Sequence, residues 1–71
     1  MNNNIAKVVV DVALDREFDY LVPFALIGCV RVGSKVHVPF GKIKTAGYVV
    51  GLAGKSEHQK LREIISVAGD K

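Results

Sequence analysis

Residues 5–12 read IAKVVVDV, and this stretch decides the fold class. Every second residue from Ala6 to Val12 is apolar, and three consecutive valines stand at positions 8–10. β-branched side chains lose rotamer freedom in a helix and pack well on a pleated surface. The stretch therefore predicts a first β-strand over residues 5–12, with one face fully buried.

Four further segments have the composition of short strands. They are residues 18–22 (FDYLV, ended by Pro23), 35–40 (KVHVPF), 47–53 (GYVVGLA) and 61–68 (LREIISVA). A short helix also fits residues 61–68, but their β-branched side chains favour the strand. About five short strands with glycine between them predict a mainly β fold, a small partly open barrel or sandwich that is OB-like. Within it we expect Phe40 and Tyr48 in the core and His37 on the surface.

The intervening segments are expected to be loops. Residues 14–17 are a polar break, residues 41–46 (GKIKTA) a basic loop, and residues 54–60 a polar loop. Residues 24–33 are apolar but contain Gly28 and Gly33, so both an irregular strand and a loop with one helical turn fit them.

Charge is distributed unevenly along the 71 residues, whose net charge is +3. Residues 20–55 contain no Asp or Glu and five cations, namely Arg31, Lys35, Lys42, Lys44 and Lys55. Such a stretch suggests a polyanionic partner, although a solvated face that binds nothing would carry the same charges.

Residue patterns typical of enzymes and metal sites are missing from the sequence. The histidines, His37 and His58, lie in different segments, and Cys29 is the only cysteine. Gly41-Lys42 lacks the rest of a phosphate-binding loop. The longest apolar runs are far shorter than the roughly 20 residues that span a bilayer. The sequence therefore predicts no catalytic residue, no metal ligand and no membrane span.

Two motifs carry chemistry that could serve a nucleic acid. Residues 17–23 (EFDYLVP) put an aromatic ring beside a carboxylate, and residues 36–42 (VHVPFGK) end a strand in glycine and lysine. An exposed aromatic ring gives a base a stacking platform, and a glycine amide with nearby lysines can hold phosphate oxygens.

These motifs also carry a family resemblance. Phe18-Asp19-Tyr20 with Pro23, then residues 33–42 (GSKVHVPFGK), then residues 47–50 (GYVV), are similar to the start of the PriA replication-restart helicases. The resemblance covers about Ile5 to Ala68. It implies that residues 1–71 are the N-terminal DNA-binding domain of such a helicase, or a fragment of it. The helicase core and zinc-binding region would lie elsewhere.

The resemblance further implies a pocket for the 3′-hydroxyl end of a nascent strand at a stalled fork. Its residues would be Phe18 against the terminal base or sugar, Asp19 as acceptor from the hydroxyl, Gly41 leaving room, and Arg62 with Lys42 on the preceding phosphate; Lys44 would contact the backbone nearby. An internal nucleotide would place a phosphodiester against the carboxylate, so repulsion would add to the preference for ends.

Each of these residues also has a purely structural interpretation. Phe18 alternates with Tyr20 and could be core, Asp19 could be an edge charge that prevents aggregation, Gly41 a turn residue, and Arg62 a solvated cation. The sequence therefore leaves two other functions open: a protein–protein docking barrel of the replisome, and a small β-barrel that binds RNA or single-stranded DNA by charge.

The resemblance also sets expectations for cofactors, partners and location. ATP and zinc would belong only to the missing regions, so no cofactor is expected for these residues. The expected partner is DNA, at forks and 3′ ends, with other primosome proteins and single-strand-binding protein reached through the full-length protein. The expected location is the bacterial cytoplasm, at the nucleoid.

Overall fold

The computed structural model describes residues 4–56 and 61–68. Almost all of its regular structure is strand. The elements are β1 (Ile5–Val10), β2 (Ala13–Leu21), a 3₁₀ turn (Phe24–Leu26), β3 (Lys35–Phe40), β4 (Ile43–Ala53) and β5 (Ser66–Val67). This confirms the mainly β prediction.

The five strands form one sheet in the order β2-β1-β4-β3-β5, with antiparallel pairing throughout. β1 lies between β2 and β4, so both of its hydrogen-bonding edges are paired within the sheet. The sheet is open rather than closed into a barrel, since β2 and β5 lie at its two edges.

Residues 62–68, which we call the closing segment, hydrogen-bond to both sides of this open sheet. At one side, the Leu21 amide donates to the Arg62 carbonyl at 2.9 Å, and the Ile64 amide donates to the Leu21 carbonyl at 3.0 Å. At the other side, the Ile65 amide donates to the His37 carbonyl at 2.8 Å. The closing segment therefore links β2 to β3, two strands that are not neighbours in the sheet.

The core lies on the inner face of the sheet, beneath the closing segment. Among the described residues, five of the ten side chains in its buried cluster are valines of β1, β3 and β4, at alternate positions where one strand supplies two of them. The fully buried large side chains are Val8, Val10, Val36, Val38, Val49 and Ile64. Ile64 comes from the closing segment and seals this core.

The boundary between the first two strands differs from the prediction. β1 ends at Val10 rather than at residue 12, and the side chain of Val12 is 56% exposed in the turn that follows. The polar break predicted at residues 14–17 was wrong, because these residues belong to β2. Their side chains point to solvent on a strand at the sheet's edge, so their polarity reflects exposure and not a loop.

The basic loop predicted over residues 41–46 was also wrong. Only Gly41 and Lys42 form the turn, and Ile43 already pairs with Phe40 across a two-residue hairpin. Gly41 has φ +63°, whereas no non-glycine residue among the described ones has positive φ. Positive φ at the first turn position alone is the pattern of a type II′ hairpin. Lysine side chains are also common at the exposed positions of a strand, as at Lys44 of β4, so a basic segment is not necessarily a loop.

Tyr48 was wrongly expected in the core. It lies between Gly47 and Val49, both of which face inward, so strand alternation turns the tyrosine outward and leaves it 42% exposed. Phe40 is half-buried and packs against the core, and His37 is half-buried beside Ser66, to whose hydroxyl its Nδ1 lies at 3.3 Å.

The remaining segments are mixed in outcome. Residues 24–33 form a loop that begins with one 3₁₀ turn, in which the Leu26 amide donates to the Pro23 carbonyl. The strand predicted over residues 61–68 reduces to Ser66–Val67 and a single bridge at Glu63. Of the polar loop predicted over residues 54–60, residues 57–60 lie outside the described part, as does His58.

No helix among the described residues is both long and apolar enough to cross a membrane.

Candidate functional site

A cleft of about 340 Å³ opens between the edge of β2 and the end of β3. Three segments that are far apart in the sequence supply its walls. The lining residues are Arg16, Glu17, Phe18, Asp19, Tyr20, Pro39, Phe40, Gly41, Leu61 and Arg62. The four residues predicted from the sequence for strand-end binding, Phe18, Asp19, Gly41 and Arg62, therefore lie around one cavity.

Phe18 forms the aromatic part of the cleft. Its ring meets the ring of Phe40 edge to face, with centroids 5.1 Å apart and planes at 79°. The guanidinium of Arg16 lies over the Phe18 ring, 5.6 Å from its centroid. The Phe18 side chain is half-buried and packs against the core, so its structural and its binding interpretations are compatible. The contact with Phe40 fixes the ring in place.

Asp19 is held on both sides. Its Oδ1 is 3.2 Å from the Nζ of Lys7 on the neighbouring strand β1, and its Oδ2 accepts a hydrogen bond from the Ser56 hydroxyl. The side chain is only 11% exposed, against 40% for Lys7. These two contacts fix the orientation of the carboxylate at the side of the cleft. The neighbouring ammonium also balances much of its charge.

Arg62 is tied to the turn of the β3–β4 hairpin. One Nη1 hydrogen donates to the Gly41 carbonyl at 2.7 Å, while the Arg62 side chain remains exposed. A guanidinium carries five N–H donors, so this bond leaves others for a ligand. The φ of +63° at Gly41 favours glycine there, and a β-carbon built at this position would touch nothing within 4 Å, so the residue also leaves this side of the cleft open.

Tyr20 forms the floor behind these groups. Its hydroxyl donates to the Pro39 carbonyl at 2.7 Å, which joins β2 to β3 across the cleft. Burial raises the pKa of the Tyr20 hydroxyl, and the positive charge of Arg62 partly offsets that rise. The phenol is therefore a neutral donor at ordinary pH and acts as a structural tie.

Lys42 and Lys44 do not line the cleft. Lys42 is exposed in the hairpin turn, next to the lining residue Gly41. Lys44 is exposed on β4, directly opposite Pro39 of β3. Both cations thus lie beside the cleft, outside its walls.

Sequence reasoning missed several contributors. Arg16 and Phe40 line the cleft, and Lys7 and Ser56 hold the carboxylate of Asp19. Phe40 had been predicted only as a core residue. Opposite charges that face each other on paired strands are a detectable signal, and Lys7–Asp19 is such a pair; no local pattern marks Ser56.

Metal-ligating side chains do not cluster in the described part of the chain. Among residues 4–56 and 61–68, no group of three or more His, Cys, Asp or Glu side chains could hold a metal ion. Cys29 is exposed in the loop before β3 and has a free thiol.

Comparison with known proteins gives two consistent results. Residues 7–71 match the model of a family described as the 3′ DNA-binding domain, the PriA 3′BD. The chain is also 42% identical over 57 residues to the replication restart protein PriA of Bacillus subtilis. That alignment covers 76% of this chain and 7% of the relative, so the chain spans a small part of that protein's length.

Proposed function

This chain belongs to the PriA 3′ DNA-binding domain family, and from that membership we propose that its cleft holds the 3′-hydroxyl end of a single DNA strand. The observation that carries the proposal is the convergence of Phe18, Asp19, Gly41 and Arg62 on one cleft. These residues offer an aromatic surface, an oriented acceptor, an unobstructed side wall and a cation. A terminal nucleotide presents a matching base or sugar, hydroxyl, and phosphate.

Asp19 supplies the chemistry that recognises an end. A free 3′-hydroxyl has a proton to donate, and a hydrogen bond to a carboxylate is stronger than one between neutral groups. Lys7 and Ser56 already hold the carboxylate in place, so little conformational freedom is lost when the hydroxyl binds.

An internal nucleotide has no such hydroxyl and is discriminated against mainly for that reason. Its phosphodiester would face the carboxylate without a proton to share. Repulsion contributes less than the bare charge of Asp19 implies, because the ammonium of Lys7 lies 3.2 Å from Oδ1. The preference for ends thus depends chiefly on the hydrogen bond to Asp19, which a free 3′-hydroxyl can donate and an internal nucleotide cannot.

Phe18 and Arg62 hold the rest of the terminal nucleotide. Stacking on an aromatic ring tolerates any base, since every base has a π-face. Arg62 is oriented by the Gly41 carbonyl and can direct its remaining donors to the phosphate on the 5′ side. Recognition through the sugar hydroxyl, the π-face and the phosphate gives little dependence on base identity.

Asp19→Ala should abolish the preference for a hydroxyl end. We expect wild type to bind a labelled single strand ending in 3′-hydroxyl at least about tenfold more tightly than the same strand ending in 3′-phosphate, because a hydrogen bond to a charged group contributes about 1.5–3 kcal/mol. In Asp19→Ala the two affinities should become equal. Fluorescence anisotropy measures both.

The matched control is Asp15→Ala, which removes the same charge from an exposed position of the same strand. It should keep the preference for the hydroxyl. Equal binding of both ends by wild type would mean that the cleft is not an end-binding site and that the chain binds single strands by charge alone. Failure of wild type to bind either strand would instead favour a protein-docking role.

Arg62→Ala should lower the affinity for the strand ending in 3′-hydroxyl and for the strand ending in 3′-phosphate by the same factor. The phosphate on the 5′ side is present whichever group ends the strand, so the ratio of the two affinities should stay as in wild type. The slope of log affinity against log salt should fall by about 0.7, the value for one phosphate contact on a single strand. Arg62→Lys should restore the slope, and Arg31→Ala, which removes an exposed cation from the loop before β3, should leave it unchanged. An altered end preference in Arg62→Ala would contradict this role.

The wider setting follows from the family. We propose that the domain serves replication restart by holding DNA ends at stalled forks, as part of a longer protein to which ATP use, zinc binding and contacts with other primosome proteins or single-strand-binding protein would belong. The matching family is a DNA-binding domain and not a catalytic one, so no reaction is assigned to this chain.

A further inference from the structure

Outside the cleft, an exposed tyrosine lies on the outer face of the sheet. Tyr48 of β4 is paired with Lys35 on β3 and with Val9 on β1, so all three side chains share that face. The Nζ of Lys35 is 6.0 Å from the centroid of the Tyr48 ring. A tyrosine in this position adds nothing to the core, and the cation beside it is suited to a negatively charged ligand.

The same face continues along β4 toward the hairpin. Lys44, Ala46 and Tyr48 lie at every second position of the strand, so their side chains point to the same face. At about 3.3 Å per residue, Lys44 and Tyr48 are about 13 Å apart along the strand. Ala46 between them is small and leaves a shallow floor. We call Lys35, Lys44, Ala46 and Tyr48 the outer strip.

The outer strip comes nearest to the cleft at Pro39. Pro39 forms part of the cleft wall, and it lies directly opposite Lys44 in the β3–β4 pairing. A strand that leaves the cleft past Pro39 would therefore meet Lys44 first and Tyr48 further on.

Charge on this part of the molecule has one sign. β3 and β4 lie within residues 20–55, which contain five Lys and Arg side chains and no carboxylate side chain. A phosphate backbone placed on the outer strip would meet cations and no acidic side chain from either strand. Aromatic rings next to lysines are the recurrent means of holding single strands without regard to sequence.

We propose that the outer strip is a second nucleic-acid contact, in which Tyr48 stacks a base and Lys35 and Lys44 hold phosphates of the nucleotides that lead away from the cleft. This rests on the proposed function for the direction of the strand. It adds a separate source of affinity that does not depend on the strand's end.

The test compares two oligothymidylates with 3′-hydroxyl ends, of about four and about twelve nucleotides, within the range of site sizes seen for small β-barrels. Wild type should bind the longer strand more tightly. Tyr48→Ser should lower the affinity for the longer strand at least about fivefold, the effect of losing one stacked base. Tyr48→Phe should bind it as wild type does. Lys35→Gln should reduce the salt slope by about 0.7.

Val32→Ser is the matched control, since it removes an exposed apolar side chain from the loop before β3. It should leave both affinities unchanged. Tyr48→Ser should keep the wild-type ratio of affinities for 3′-hydroxyl and 3′-phosphate ends. Asp19→Ala should bind the two ends equally and should still bind the longer strand more tightly than the shorter one. The proposal that the outer strip contacts nucleic acid is refuted if wild type binds the longer strand no more tightly than the shorter one. It is also refuted if Tyr48→Ser binds the longer strand as tightly as wild type does. Equal affinity of wild type for 3′-hydroxyl and 3′-phosphate ends would instead refute the proposal that the cleft binds strand ends.

Discussion

Ile64→Ala should lower the free energy of unfolding by about 2–5 kcal/mol, the usual cost of truncating a buried isoleucine. Ile64 is 1% exposed and seals the inner face of the sheet. A single core in a domain of this size supplies about 3–5 kcal/mol of stability in all. The variant should therefore be largely unfolded at room temperature, and urea denaturation followed by circular dichroism would show it.

Graded and neighbouring variants separate this effect from a general disturbance of the closing segment. Ile64→Val should cost only about 0.5–1.5 kcal/mol. Ile65→Ala changes the adjacent side chain, which is 47% exposed, and should cost well under half of the Ile64→Ala value. Equal midpoints for Ile64→Ala and wild type would mean that the closing segment does not belong to the cooperative core.

Gly47→Ala should destabilise the domain by about 1–3 kcal/mol through overpacking. A β-carbon at this position would lie 2.6 Å from Cγ1 of Val8 and 2.7 Å from the carbonyl oxygen of Val9. The oxygen belongs to the backbone of β1, so it cannot move away by a simple side-chain rotation. The added methyl must push β1 and β4 apart, and thermal unfolding should show a lower midpoint.

Gly51→Ala is the matched control on the same strand. Its β-carbon would find its closest neighbour at 3.7 Å, the Cδ of the Lys7 side chain, which is an ordinary contact. Alanine also restricts the unfolded chain, so this variant should be neutral or more stable by about 0.4–1 kcal/mol. If Gly47→Ala melted no lower than Gly51→Ala, the close approach of β1 to β4 would not limit the choice of residue.

Strand content was predictable because the valine-rich segments leave few other choices. Residues 35–40 alternate clearly, and β3 has the predicted bounds. The errors arose where exposure and loop structure look alike in a sequence. Residues 14–17 and 43–46 are polar or basic because their strands are exposed, and no local pattern distinguishes this from a turn.

The predicted site residues were identified by motif, and their meeting around one cleft depends on the topology. Phe18 and Asp19 are adjacent in sequence, but Arg62 reaches them only because the closing segment crosses to Leu21. Sequence spacing says nothing about that crossing. Tyr48 was placed in the core because its side chain is largely hydrophobic. The structure shows that its neighbour Val49 points inward, so Tyr48 points outward.

The link that the closing segment makes between β2 and β3 ties ligand binding to folding itself. The cleft takes its walls from residues 16–20, 39–41 and 61–62, so the unfolded chain has no partial version of it. A ligand that binds only the folded state adds RT ln(1 + [L]/Kd) to its stability, about 2.7 kcal/mol at a hundred times Kd. For so small a domain this is comparable to the whole intrinsic stability. A captured strand would then act as a folding cofactor, and the population of intact domain would rise with the supply of ends.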